Sequence, residues 1–171
     1  MKSLGRKSVL VTGGSGSIGA AICSRLAYLG ARVGVGYHWD VERASRICDS
    51  ILSRGGVAEP VFIDVRSEES VDSALQVFCG PSNRGLDGLV NAAGINKPSD
   101  FDTTRTEDSE RIVRTNLTGA FIVSQKSFPY LERRKPSSIV HIGSISGQIG
   151  GPRTAHYAAS KAGLVGLSQV I

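Results

Sequence analysis

Between a β-branched run, Ser8 to Val11, and an amphipathic segment, Ile18 to Leu29, stands the string Thr12-Gly13-Gly14-Ser15-Gly16-Ser17-Ile18-Gly19. It contains G-x-G-x-x-G at Gly14, Gly16 and Gly19. Glycine is needed there for three reasons: the chain turns sharply, backbone N–H groups must come close to a pyrophosphate, and the helix must pack tightly on the sheet. The helix N-terminus adds positive potential at the same place. Such a string is weak by itself, and its strand-turn-helix setting is what gives it force. Gly13, Ser15, Gly16, Ser17, Ile18 and Gly19 are therefore candidate phosphate contacts, and the fold must offer a parallel βα unit to hold them.

The rest of the chain repeats the alternation of short β-branched runs with longer amphipathic ones, the pattern of βαβ units around a parallel sheet. Strands are expected at Ser8 to Val11, Val33 to Tyr37, Ala58 to Ile63, Leu86 to Val90 and Ser138 to Ile142. Helices are expected from Ile18 to Leu29, stopped by Gly30, and from an Asp40 cap to Ser53, ended by Gly55-Gly56. A third runs from a Ser67 cap to about Phe78, with Glu68 and Glu69 in its first turn where the dipole favours them. A long fourth helix runs from a Thr106 cap to about Glu132; Pro129 lies inside it and is expected to end or kink it. The last begins at about Arg153 and is still in progress at Ile171. The expected class is α/β, a Rossmann-like doubly wound parallel sheet in the order 3-2-1-4-5, with the fifth strand an exposed edge. We expect one dinucleotide-binding and catalytic domain over residues 1–171, incomplete at its C-terminus, because the last helix stops without Gly, Pro or a basic last turn.

Composition excludes several classes. A chain of 171 residues, 40% hydrophobic and 20% charged, is ordinary for a globular protein rather than a disordered one. No apolar run is long enough to span a bilayer, and the start, with Lys2, Arg6 and Lys7 before only Val9 to Val11, lacks a signal-peptide core. Cys23, Cys48 and Cys79 lie far apart with no C-x-x-C spacing, which predicts buried free thiols, no metal site and a cytoplasmic location. The net charge of +5 is scattered, with its densest run at Arg133-Arg134-Lys135. No nucleic-acid or membrane partner is expected; the charge suits an anionic, phosphate-bearing cofactor.

Candidate chemistry gathers near the end of the chain. Tyr157 and Lys161 are four apart at the start of a helix and so share a face. An ammonium within reach favours phenolate over phenol, which suits a tyrosine to give a proton to a carbonyl or take one from an alcohol. Upstream, Gly143-Ser144-Ile145-Ser146-Gly147 follows the fifth strand and places a hydroxyl at the carboxyl edge of the sheet, with Ser146 the structural alternative to Ser144. Asn116 is unfavourable in a helix interior, which invites a functional reading.

Together these strings resemble the short-chain dehydrogenase/reductase family. The glycine loop is similar to its T-G-x-x-x-G-x-G, with Ser17 in place of the middle glycine; Asp64-Val65 to its D-V pair; and Asn91-Ala92-Ala93-Gly94 to its N-N-A-G, with Ala92 replacing the second Asn. Asn116-Leu117-Thr118-Gly119 resembles its N-x-x-G, and the thirteen-residue spacing from Ser144 to Tyr157 is the one it uses. Because Ser tolerates positive φ less readily than Gly, Ser17 is expected to narrow the turn's freedom.

The resemblance implies hydride transfer between a nicotinamide and a carbonyl or alcohol. In it Ser144 and Tyr157 hold the substrate oxygen, Lys161 binds the nicotinamide ribose and tunes the phenol, and Asn116 anchors a water relay. Asp64 and the Val65 amide receive the adenine, while Asn91, Ala92, Ala93 and Gly94 steady the sheet and lie along the cofactor. The second strand ends in Tyr37 and His38 with no acid at the place that binds a ribose diol, which tilts the cofactor from NAD to NADP. Segments Leu89 to Ile95 and Ala158 to Leu167 look most like reductases of 3-oxoacyl carrier-protein thioesters, enzymes of fatty acid biosynthesis, so an acyl thioester is the expected substrate. Self-association is expected through the long helices. The rival readings are a dinucleotide-binding module without catalysis and an epimerase or dehydratase of the extended branch, the latter disfavoured by the short Ser144 to Tyr157 spacing.

Overall fold

The structure, a computed structural model, describes residues 3–80 and 85–171; Lys2, among the basic residues read at the N-terminus, lies outside them. Five strands, β1 (Ser8–Thr12), β2 (Arg32–Tyr37), β3 (Val57–Phe62), β4 (Gly88–Asn91) and β5 (Ser138–His141), form one parallel sheet. Its order is β3-β2-β1-β4-β5, the order expected. The helices are α1 (Ser17–Tyr28), α2 (Val41–Leu52), α3 (Glu68–Cys79), α4 (Thr106–Val113), α5 (Gly119–Glu132), α6 (Ser146–Ile149) and α7 (Ala155–Val170).

Each central strand is apolar on both sides because helices cover both faces. Along β1, Val9 and Val11 face Cys23 and Ala27 of α1 and Ala44, Cys48 and Ile51 of α2. Leu10 between them faces Val71, Leu75 and Phe78 of α3 and Ile122 and Val123 of α5. Phe78 and Leu10 are fully buried, each worth about 2 to 3 kcal/mol of transfer free energy. The cysteines are free and buried, and burial pushes the thiol of Cys23 up to about 12. Among the described residues β3 and β5 are the sheet's edges, and Val140 of β5 is half-exposed. No helix among the described residues is long and apolar enough to cross a membrane, and no described group of three His, Cys, Asp or Glu is placed to hold a metal.

The caps that end the loops above the sheet are those the residues dictate. Asp40 accepts a hydrogen bond from the Arg43 amide at 2.8 Å, and Ser67 from the Ser70 amide at 3.2 Å. Three expectations need correction. Thr106 is the first helical residue, not the cap: Arg105 holds that place with extended backbone and no side-chain bond. Pro129 does not end its helix, which continues to Glu132; Pro129 and Gln125, four residues before it, are both exposed residues. Most consequentially, the long helix is interrupted by a π turn over Arg114–Thr118, where the Gly119 amide bonds the Arg114 carbonyl. The interruption falls on Asn116, and such turns frequently mark functional sites.

Candidate active site and dinucleotide cleft

Loops at the carboxyl ends of β1, β2, β3 and β4 enclose a cleft of about 480 Å³. Gly13, Ser15 and Gly16 line one wall, and Ala92, Ala93 and Gly94 another. Tyr37, His38, Asp64 and Val65 close the end beyond β2 and β3. Sequence-predicted residues from four separate segments thus meet in one cavity.

Gly13 takes φ +63°, and a Cβ there would lie 2.7 Å from the Ala93 Cα. A Cβ on Gly19 would overlap the Gly13 carbonyl oxygen. A Cβ on Gly14 would lie 2.9 Å from the Gly36 amide nitrogen, so Gly13, Gly14 and Gly19 are all demanded by close approach. Ser17, expected to restrict the turn, instead opens α1 in helical conformation and needs no positive φ. The intrahelical ladder starts with Ala20 donating to Gly16, so the amides of Ser17, Ile18 and Gly19 keep no helical partner at the dipole's positive end. A loop of three glycines and Ser15, followed by three donors without a helical partner, fits a pyrophosphate.

Asn91 points elsewhere. Its Nδ2 donates to Ser124 Oγ at 2.9 Å and lies 3.3 Å from His141 Nδ1, so the side chain ties β4 to α5 and β5. His141 is kept below its ordinary range by burial and by the Lys161 charge.

At the far end of the cleft, Gly94 connects its wall to the candidate catalytic residues. A Cβ on it would meet Asn116 Oδ1 at 3.3 Å and Lys161 Nζ at 3.8 Å, so the missing side chain leaves both polar groups room. Asn116 is completely buried. Its Oδ1 accepts from the Ile95 amide at 2.8 Å, while Nδ2 donates to the Ile95 carbonyl at 2.9 Å and to Ser160 Oγ at 3.1 Å. Ser160 donates in turn to the Tyr157 carbonyl at 2.7 Å, so the π turn grips the first turn of α7.

On that turn Lys161 Nζ lies 5.7 Å from the Tyr157 ring centre and donates to the Ile142 carbonyl at 2.6 Å. Burial pushes the Lys161 ammonium below its ordinary range. Ile142 leads through Gly143 to Ser144, whose Oγ accepts from the Ser146 amide at 3.2 Å. Ser146 is the first residue of α6, with Ile145 at the cap position and no side-chain cap bond, so it is neither a loop nor a capping serine.

Four contributors escaped the sequence reading. Ser160 is a small polar residue inside Y-x-x-x-K, and His156, buried, meets the Lys97 carbonyl at 3.0 Å and fixes the loop before α4. Arg43 and Arg66 also line the cleft. For Arg43 the signal was its place three residues after the Asp40 cap, where a helix start returns side chains to the glycine loop; Nη2 is 3.4 Å from Ser17 Oγ.

Residues 7–171 match the family described as short chain dehydrogenase. The chain is 32% identical over its whole length to a 3-oxoacyl-[acyl-carrier-protein] reductase of Synechocystis, covering 69% of it. It is 36% identical to 3beta-hydroxysteroid dehydrogenase 1 of Eggerthella lenta, over 96% of this chain and 63% of that one. A solved dehydrogenase/reductase from Sinorhizobium meliloti superposes with a TM-score of 0.90 at 35% identity, over 96% of this chain and 65% of that one. The chain thus spans about two thirds of the length of such relatives. With the fold, the cleft and the match in agreement, this chain belongs to the short-chain dehydrogenase family, whose members are oxidoreductases.

Proposed function

We propose that this chain binds NADP(H) and carries the proton-transfer residues of a carbonyl reductase, with a 3-oxoacyl thioester as substrate class. The observation that carries the reading is the pairing of Tyr157 with Lys161 on one face of α7, where Gly94 brings the dinucleotide cleft to them. Bound in the cleft, the nicotinamide supplies the hydride. Tyr157 gives its hydroxyl proton to the substrate oxygen, and the Ser144 hydroxyl donates a second hydrogen bond to that oxygen. Lys161 holds the ribose, and its charge favours the phenolate left behind. Asn116 keeps Ile95 and the start of α7 in register and anchors the relay that refills the proton.

The NADP preference rests on charge. Arg43 lines the cleft beyond β2 with no carboxylate partner among the described residues, and of the two acids there Asp40 caps α2 while Asp64 is paired with Arg66. The thioester assignment is supported by the name of the Synechocystis relative. Self-association through α5 and α7 is supported by apolar surface at Phe121, Phe128 and Val165. Consumption of NADPH and of NADH with a 3-oxoacyl thioester tests the function. Faster turnover of NADPH is expected, and binding of neither cofactor would sink it.

A further inference from the structure

The carboxylate that the family resemblance offers to the adenine is already engaged. Arg66 clasps Asp64 from both sides, Nε to Oδ1 at 2.9 Å and Nη2 to Oδ2 at 2.8 Å, and the Arg66 amide adds a third bond to Oδ1 at 3.0 Å. His38 Nε2 stands 3.4 Å from Oδ2. An exocyclic amine would have to compete with a bidentate guanidinium, the strongest neutralising partner a carboxylate finds in proteins.

On the same side of the cleft, beyond His38, stands an exposed indole. Trp39 is the chain's single tryptophan, lines the cleft, and is 85% exposed. It is not loose: its ring lies 4.1 Å from that of His38, and His38 lies 6.0 Å from Phe62, which forms a row of rings beside Asp64. A large, propped, uncovered aromatic face at a nucleotide-sized cleft suits a planar base.

We propose that Trp39, rather than the Asp64 carboxylate, holds the adenine of the bound dinucleotide, by stacking on the base. This rests on the cofactor reading above. Stacking engages a π-face and not the edge of the ring, so the site tells purines apart poorly. Adenine and hypoxanthine, which differ at the exocyclic position that a carboxylate would read, bind alike.

Calorimetric titration of the chain with NADP+ and with its hypoxanthine analogue tests this. The two ligands are expected to bind within about threefold of each other, and Trp39→Ala to weaken both by about tenfold or more, with Trp39→Phe keeping most of the affinity. Because Trp39 is at the surface, its replacement leaves the fold intact, which circular dichroism checks. In the wild type 2′,5′-ADP, which has no nicotinamide, quenches the Trp39 fluorescence and nicotinamide mononucleotide does not. Unchanged affinity in Trp39→Ala, a tenfold or greater loss on going to hypoxanthine, or quenching by neither fragment overturns the stacking assignment while the cofactor reading stands. Failure of the wild type to bind NADP+ at all overturns both.

Discussion

Asn116 and Ile95 exchange two hydrogen bonds: the Ile95 amide donates to Oδ1 at 2.8 Å, and Nδ2 donates to the Ile95 carbonyl at 2.9 Å. One side chain thereby completes the backbone of the segment leaving β4 and, through Ser160, positions the helix of Tyr157. Asn116→Ala removes partners from two backbone groups and a hydroxyl. A loss of about 2 kcal/mol in unfolding free energy is expected from urea denaturation. A loss below about 0.5 kcal/mol would show that the exchange is not structural.

The glycine loop gives a sharper test of the cleft. At Gly19 a methyl group overlaps the Gly13 carbonyl oxygen, so Gly19→Ala must displace the loop. NADP+ affinity measured by calorimetry is expected to fall about tenfold or more, since the loop's amides must reach the pyrophosphate. Undiminished affinity would place the pyrophosphate elsewhere.

Arg43 separates the two cofactors. It reaches Ser17 from α2 and lines the cleft, with no salt bridge among the described residues. Arg43→Ala is expected to weaken NADP+ by about tenfold, the order of one charge-assisted contact, and to leave NAD+ unchanged. Equal losses for both ligands would assign Arg43 to the loop rather than to the 2′-phosphate.

Acid stability follows from Asp64. The Arg66 side chain, hydrogen-bonded to it, holds the carboxyl down at about 2 against the opposing effect of burial. Since the folded value lies below the unfolded one, the pair stabilises the fold above the ordinary carboxylate range, and this contribution is lost as pH falls towards about 2. Both side chains are partly exposed, so screening reduces it to about 1 kcal/mol. The stability gap between wild type and Asp64→Asn is expected to close between pH 4 and 2, by parallel denaturation series. A gap independent of pH would mean the pair contributes nothing.

The fold was legible because strand and helix leave different periods and because Asp40, Ser67 and Gly30 carry the chemistry of helix ends. The candidate site was legible where chemistry restricts residue type, as at Gly13, Gly19, Tyr157 and Lys161. The π turn was not, because one shifted hydrogen bond at Gly119 leaves the 3.6-residue pattern on either side nearly intact. Nor was the turning of Asn91 into the core, since its partners Ser124 and His141 lie 33 and 50 residues away. Trp39 stood next to a capping Asp as an ordinary loop residue, and only its exposure in the cleft distinguishes it.

The proton-donor role of Tyr157 is the centre of the account, and Tyr157→Phe tests it most directly. NADPH consumption with a 3-oxoacyl thioester is measured beside NADPH affinity in wild type and variant. Loss of the hydroxyl is expected to lower kcat by a factor of about 10² or more and to leave the cofactor Kd within about twofold. Turnover equal to the wild type with the cofactor bound would contradict the assignment.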